Sequence, residues 1–331
     1  MARRPRELDE DDVRSRANPR GTRPRSKQRP AHENAVDGMV VAVDRGRYLV
    51  LADEPQATGG TEVMAMRARE LGRKSIVVGD RVGVVGTIDD SPDALVRIVR
   101  LDERDTVLRR TADDSDEHER VIVANADQLL IVSALADPEP SYGFIDRCLV
   151  AALAAGIEPV LCLTKSDLAP PQPVIERYAA LDVPSVVMRR GGPLDEVRDL
   201  LTGHVSVLVG HSGVGKSTLI NALVPTADRA TGRVSAIGKG RHTSSSAVAL
   251  RLPDVDGWVV DTPGVRSFGL AHVSPDDLLW AFPDLEDGAN RCPRGCEHLA
   301  AEDGCTLDAW VAEGHSTPDR LAAFRQLLVS R

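Results

Sequence analysis

The chain has 331 residues, of which 42% are hydrophobic and 27% charged, with a formal net charge of −9. That balance excludes collagen-like, fibrous and wholly disordered chains, and the length predicts two or three domains. No apolar run reaches the ~18 residues of a membrane helix, and the opening MARRPRELDEDD lacks the apolar stretch of a secretory leader, so a cytoplasmic protein with no membrane partner is expected. Five cysteines are too few to staple a chain of this size, and three of them cluster, which points to metal in a reducing compartment.

Charge is unevenly spread. Residues 13–30 carry six arginines and one lysine without an acid. Residues 1–34 read as a disordered basic tail, open to two uses: an arm for nucleic acid or a solvated tail. Lysine is scarce, five against 36 arginines, so a lysine is a candidate for a position that needs a compact ammonium. Lys165 and Lys216 fall in motifs described below, and Lys239 directly precedes one.

Residues 35–110 predict a small OB-like β-barrel. Five short β-rich segments, at Val36–Val43, Arg47–Leu51, Glu62–Arg67, Arg81–Ile88 and Leu95–Leu101, are separated by Gly and Asp. The barrel's only aromatic is Tyr48. Base-stacking platforms use several, so the barrel is expected to meet structured RNA backbone or protein, or to be purely structural.

After an acidic linker at residues 111–119 the pattern becomes strand–helix, which predicts an α/β domain with a mostly parallel sheet over residues 111–274. Strands are expected at Gln128–Ala134, Pro159–Leu163, Ser185–Met188, Val205–Val209, Ala247–Leu252 and Trp258–Val260, with helices including Phe144–Ala155 and Ser217–Leu223. Residues 275–331 predict a separate helical, cysteine-bearing domain whose core draws on Trp280, Phe282, Trp310 and Phe324. The fold class is therefore multidomain: β, then α/β, then α.

Three motifs carry chemistry. Gly210-His211-Ser212-Gly213-Val214-Gly215-Lys216-Ser217 follows a strand and opens a helix at Ser217-Thr218, the context of a phosphate-binding P-loop. Backbone amides and the helix N-terminus face the phosphates, Lys216 reaches the β/γ-phosphates, and the Ser217 hydroxyl is a Mg²⁺ ligand. Asp261-Thr-Pro-Gly264 follows a strand, where Asp261 can hold Mg²⁺ and the Gly264 amide can approach a γ-phosphate. Thr164-Lys165-Ser166-Asp167 also follows a strand. Asp167 can accept two hydrogen bonds from guanine, which adenine cannot supply, with Lys165 laid along the base. Capping of the next helix is the competing use of this tetrapeptide.

Together the motifs read as a GTPase in permuted order, because the base motif precedes the P-loop. On these motifs, and on Val78-Gly-Asp-Arg-Val82, Val123-Ala-Asn-Ala-Asp-Gln128, Gly240-Arg-His-Thr243, Asp261-Thr-Pro-Gly-Val-Arg266 and the cysteine cluster, the chain resembles the RsgA (YjeQ) family of GTPases dependent on the small ribosomal subunit. The resemblance implies a circularly permuted G domain that hydrolyses GTP to GDP and phosphate. It further implies stimulation by the small (30S) subunit, contact with its rRNA, and a role late in 30S maturation by a monomer. A P-loop ATPase or small-molecule kinase with an RNA-binding barrel is the rival reading, and a non-catalytic RNA-binding scaffold a third. Two departures stand out. Thr164 replaces the common Asn, and no Ser-Ala loop is evident, Met188–Gly191 occupying its place.

Cys292, Cys296, His298 and Cys305 form a Cys₃His set of the kind that holds structural zinc. The resemblance implies one Zn²⁺ here, although the Cys292–Cys296 spacing is one residue short of the family pattern. Cys148 and Cys162 sit in apolar contexts and read as core residues. By the motif match, Thr243 is expected to add a second hydroxyl to Mg²⁺. Val265 cannot position water, so His242 is the candidate to orient the attacking water; the competing readings are that His242 contacts rRNA phosphate, that His211 does the job, or that the ribosome supplies the group.

Overall fold

The structure is a computed structural model. It describes residues 32, 34–44, 46–53, 60–72, 75–88, 95–111, 119–227, 247–263, 268, 270, 273–300 and 304–331. Its first unit is a five-stranded barrel: β1 (Val36–Asp44), β2 (Arg47–Ala52), β3 (Thr61–Arg67), β4 (Arg81–Val85) and β5 (Leu95–Leu101). The strand order is β1-β2-β3-β5-β4, and β4 returns to pair with β1. Only the β3–β5 pair is parallel. Alternate residues Val40, Val50, Val63, Val82, Val84, Val96 and Ile98 fill the interior, the period-2 pattern that made the strands readable. Tyr48 is inside with them, 6% exposed, so it offers no face to a base. The strand expected to reach Ile88 stops at Val85, where Gly86 turns the chain at φ +137°.

A two-stranded antiparallel hairpin follows, β6 (Val107–Thr111) and β7 (Glu119–Ala124), flanking the stretch read as a linker. The α/β layer comprises β8 (Gln128–Ala134), α1 (Tyr142–Ala154), β9 (Glu158–Thr164), α2 (Gln172–Tyr178), β10 (Ser185–Val187), α3 (Asp195–Leu201), β11 (Val205–Val209), α4 (Lys216–Leu223), β12 (Val248–Arg251) and β13 (Trp258–Asp261). Its strands run β10-β9-β8-β11-β13-β12, parallel except for β12. All of β8 is buried, as expected for a central parallel strand covered on both faces. Its one strongly polar side chain, Gln128, is satisfied by the Leu200 carbonyl (3.1 Å) and the Ser206 hydroxyl (2.8 Å).

Strand pairing joins the barrel to this layer, and two of the sequence motifs hold it to the β6–β7 hairpin and the turn that follows. Strand β1 meets β12 at Ala42–Val248, which joins the two sheets. Val78 bridges Val123, and Gly79 (φ +88°) lies so close that a Cβ there would stand 1.9 Å from the Ala124 carbonyl. The Asn125 amide donates to the Gly79 carbonyl (3.0 Å) and its oxygen accepts from the Asp105 amide (2.9 Å). Asp80, fully buried, accepts from the Val77 amide (2.7 Å) and from both prongs of the Arg104 guanidinium (2.7 and 2.9 Å).

The last part is helical: α5 (Asp276–Leu279), α6 (Pro283–Ala289), α7 (Leu307–Ala312) and α8 (Pro318–Ser330). Phe282 and Phe324 pack edge to face, 5.0 Å between centroids. Helix α8 docks on the α/β layer through polar contacts. Gln326 donates to Asp146 of α1 (3.0 Å), which also accepts from the Tyr178 hydroxyl (2.7 Å). Arg320 reaches the Ala180 carbonyl (2.8 Å) and the Asp182 carboxylate (3.1 Å). Among the described residues no helix is long and apolar enough to cross a membrane.

Candidate nucleotide-binding site and metal centre

Parallel strands place their C-terminal ends together, and the C-terminal ends of β9, β10, β11 and β13 and the chain after them line one cleft of about 820 Å³. That is within the ~300–1,000 Å³ typical of ligand sites. The loop after β11 forms its floor. Gly210 passes so close to β8 that a Cβ would stand 2.6 Å from the Val132 carbonyl. Gly213 (φ +83°) and Gly215 (φ +98°) take left-handed conformations that suit glycine. The first helical bond of α4 runs from the Leu219 amide to the Gly215 carbonyl (2.9 Å), so the amides of residues 216–218 are free of intrahelical acceptors and available to an anion. Ser217 and Thr218 are exposed on the cleft, and Ser212 and Val214 complete the loop.

Lys216 forms an ion pair with Asp261 at the end of β13. The cation expected to meet phosphates and the carboxylate expected to hold Mg²⁺ therefore face the same end of the cleft. His211 lines the cleft and packs its ring on Phe144 of α1, 4.2 Å between centroids. At the other end, Lys165 and Asp167 line the wall, with Asp167 exposed to the cavity. The Ser166 amide donates to the Met188 carbonyl (3.2 Å). The Met188–Gly191 segment lines the adjacent wall.

Thr164 has a role that its motif alone did not reveal. Its hydroxyl is buried and donates to the Val214 carbonyl of the P-loop at 2.5 Å. The Thr in the place of Asn thus ties the base motif to the phosphate loop rather than facing the cavity with its donor. Lys165, at φ +59°, directs its ammonium to the Asp137 carbonyl, next to Pro138, which packs near Gly213. These anchors are backbone carbonyls, for which no sequence signal exists. Gly264, His242, Thr243 and Val265 lie outside the described residues, as does nearly all of the basic tail.

Cys292, Cys296, His298 and Cys305 converge, their ligand atoms all within 4.8 Å of one another. Four bonds of ~2.3 Å to a tetrahedral zinc put neighbouring sulfurs ~3.8 Å apart. The Cys292 and Cys305 sulfurs are 3.9 Å apart, and the His298 Nδ1 is 3.8 Å from the Cys305 sulfur. The donor set fits a soft divalent metal. Burial opposes ionisation of Cys292, but its hydrogen bonds with the Thr306 hydroxyl and from the Thr306 amide, with those of the neighbouring cysteines, outweigh it and lower the thiol pKa. Burial pushes Cys305 up to about 11, the cost that a bound cation would offset. Burial also raises Cys148 and pushes Cys162 up to about 12, in line with inert core thiols.

Comparison with known proteins agrees with this geometry. The RsgA GTPase family profile matches residues 101–271, just over half of the chain. The chain belongs to the RsgA GTPase family. Its relatives include the small ribosomal subunit biogenesis GTPase RsgA of Pseudomonas aeruginosa (strain LESB58), 41% identical over 63% of this chain. The alignment spans 64% of that relative's length. The RsgA of Azotobacter vinelandii is 35% identical over 89% of this chain and 85% of its own. The crystal structure of YjeQ from Thermotoga maritima matches with a TM-score of 0.62 and 26% identity, covering 89% of this chain and 97% of that one. The structure of YloQ, a circularly permuted GTPase, matches with a TM-score of 0.62 and shares the fold at 23% identity, over 91% of this chain and 96% of that one. The barrel, permuted α/β layer and Cys/His-bearing helical part of this RsgA-family chain agree with the fold expected from its sequence.

Proposed function

We propose that this protein hydrolyses GTP to GDP and phosphate, stimulated by the small ribosomal subunit and its rRNA, late in 30S maturation. The observation that carries the reading is the two-ended cleft: Lys216 and Asp261 at one end, Asp167 at the other, the two ends tied by the Thr164–Val214 bond. Relatives named small ribosomal subunit biogenesis GTPases supply the partner.

In this reading the amides of residues 216–218 and the Lys216 ammonium bind the β- and γ-phosphates. Ser217 and Asp261, with Thr243, hold Mg²⁺, which screens the charge of the polyphosphate. Asp167 accepts from the guanine N1–H and N2 amine, with Lys165 along the base and the Gly191 loop beside it. His242 orients the attacking water. Cys292, Cys296, His298 and Cys305 hold one structural Zn²⁺. The protein acts as a cytoplasmic monomer, and no observation favours the ATPase or kinase alternative.

Competition binding of GTP, GDP and ATP tests the reading. The wild type is expected to prefer guanine nucleotides by at least about tenfold, because a site built to pair the N2 amine rejects a base lacking it. Asp167→Asn swaps an acceptor for a donor and is expected to weaken GTP by roughly 2–4 kcal/mol. Equal affinity for ATP and GTP would overturn the proposal.

A further inference from the structure

Among the described residues, the metal cluster has a close cationic neighbour that the ligand motif does not contain. Arg325, on α8, sends Nε to the His298 carbonyl at 3.0 Å and forks onto Asp308 of α7 at 2.9 and 2.6 Å. The same guanidinium stands 4.0 Å from the Cys305 sulfur. The residue it holds needs holding: His298 has φ +58°, a left-handed conformation that costs a non-glycine residue energy. Three thiolates and a neutral imidazole around a divalent cation carry a net charge of −1, in a setting where Cys305 is buried. Arg fits this position better than Lys, because one planar fork can serve the carboxylate while its remaining donors serve a carbonyl and a sulfur.

We propose that Arg325 is a positioning residue of the metal centre, which fixes the His298 backbone and neutralises the excess charge of the thiolate cluster. The next residue extends its reach. Gln326 grips Asp146 of α1, two positions from the Phe144 ring that packs on His211 of the phosphate loop. Helix α8 thus holds the metal loop with one side chain and the nucleotide-binding layer with its neighbour.

The inference rests on the metal reading, and the experiment separates the two. Full-length wild type, Arg325→Met, Arg325→Lys and Asp308→Asn are purified, their zinc is quantified, and Zn²⁺ transfer to a chromogenic chelator is timed alongside alkylation of the cluster thiols. Outer-shell partners of metal sites are typically worth about 10- to 100-fold in affinity, so Arg325→Met is expected to release zinc at least about tenfold faster and to expose Cys305 to alkylation. Asp308→Asn removes the same ion pair from the fold but leaves the guanidinium on the His298 carbonyl and the Cys305 sulfur, so its release is expected to stay within about threefold of wild type. Arg325→Lys keeps the charge without the fork and is expected between the two; it decides the matter if the methionine variant does not accumulate folded, wild-type release then overturning the proposal. Release from Arg325→Met at the wild-type rate, or from Asp308→Asn as fast as from Arg325→Met, would also overturn it. A wild type free of metal would refute the metal reading itself.

Discussion

Replacing Thr164 by Val removes one short hydrogen bond, and a long contact of the same hydroxyl with the Ser133 carbonyl at 3.4 Å, and nothing else of size. The two side chains have nearly the same shape, so no cavity opens, but the Val214 carbonyl loses the hydroxyl that now stands 2.5 Å away. Thr164 and Val214 are 7% and 4% exposed, so water does not readily replace the lost donor. Leaving a buried acceptor unpaired costs about 1–3 kcal/mol. Because Val214 lies between two glycines with positive φ, the loop can relax away from its nucleotide-binding shape, and the loss then appears in affinity. At 1.4 kcal/mol per tenfold, the ceiling is a roughly 5- to 150-fold weaker GDP complex. Titration calorimetry of GDP and GTP against wild type, Thr164→Val and Thr164→Ser measures it, with thermal melts of each protein to register any share taken by stability. Serine keeps the hydroxyl and is expected to restore most of the affinity. The reasoning fails if Thr164→Val binds and melts like wild type, or if serine is as damaged as valine, which would assign the effect to packing.

Three further outcomes are expected. Asp80→Ala strips the fully buried partner from Arg104 and the acceptor from the Val77 amide; the cost is about 3 kcal/mol, the low end for a broken buried pair because Arg104 keeps some solvent contact, and an unchanged melting curve would contradict it. The Asp308 carboxyl is held below its ordinary value by its Arg325 bonds, and that of Asp284 likewise, where bonds from Ser316 and Arg320 outweigh burial. A lowered folded pKa stabilises above the unfolded value and loses that effect as pH falls through the folded one, so the melting difference between wild type and Asp308→Asn should be constant above about pH 5, shrink as pH falls past the ordinary value near 3.9 and vanish only below the lowered folded value; a pH-independent difference would contradict the assignment. Wild type should carry about one Zn²⁺ per chain, and Cys296→Ser should lose it together with C-terminal order by limited proteolysis, while metal analysis of fresh protein showing none would count against the centre.

The legible parts of this chain are those whose signals are local. Short runs of alternating apolar residues between Gly and Asp breaks marked the barrel strands, and the phosphate loop, Asp261 and Asp167 each announced themselves within a few residues of a strand end. Contacts to backbone atoms were not legible: nothing in Thr164 names the Val214 carbonyl, and nothing in Lys165 names that of Asp137. Distance along the chain hid Arg325, which reaches the Cys/His loop from a helix some twenty residues further on. The β6–β7 hairpin was missed because its two short halves flank an acidic run that read as a linker. Conversely, Val78-Gly-Asp-Arg and Val123-Ala-Asn-Ala-Asp stood out in the sequence without a physical reason. Docking supplies one: Gly79 is where the barrel touches the β6–β7 hairpin, and Asp80 and Asn125 tie the flanking turns.

The central claim is a guanine-specific hydrolase that the small ribosomal subunit switches on. Phosphate release from GTP and from ATP, each with and without purified small subunits, tests it most directly, with Lys216→Ala as the inactive control. The account predicts slow GTP turnover by the protein alone, a large rise on adding subunits, no comparable rise with ATP, and loss of both GTP rates in the control. Subunit-stimulated turnover that is equal for ATP and GTP, or GTP turnover that subunits leave unchanged, would contradict it.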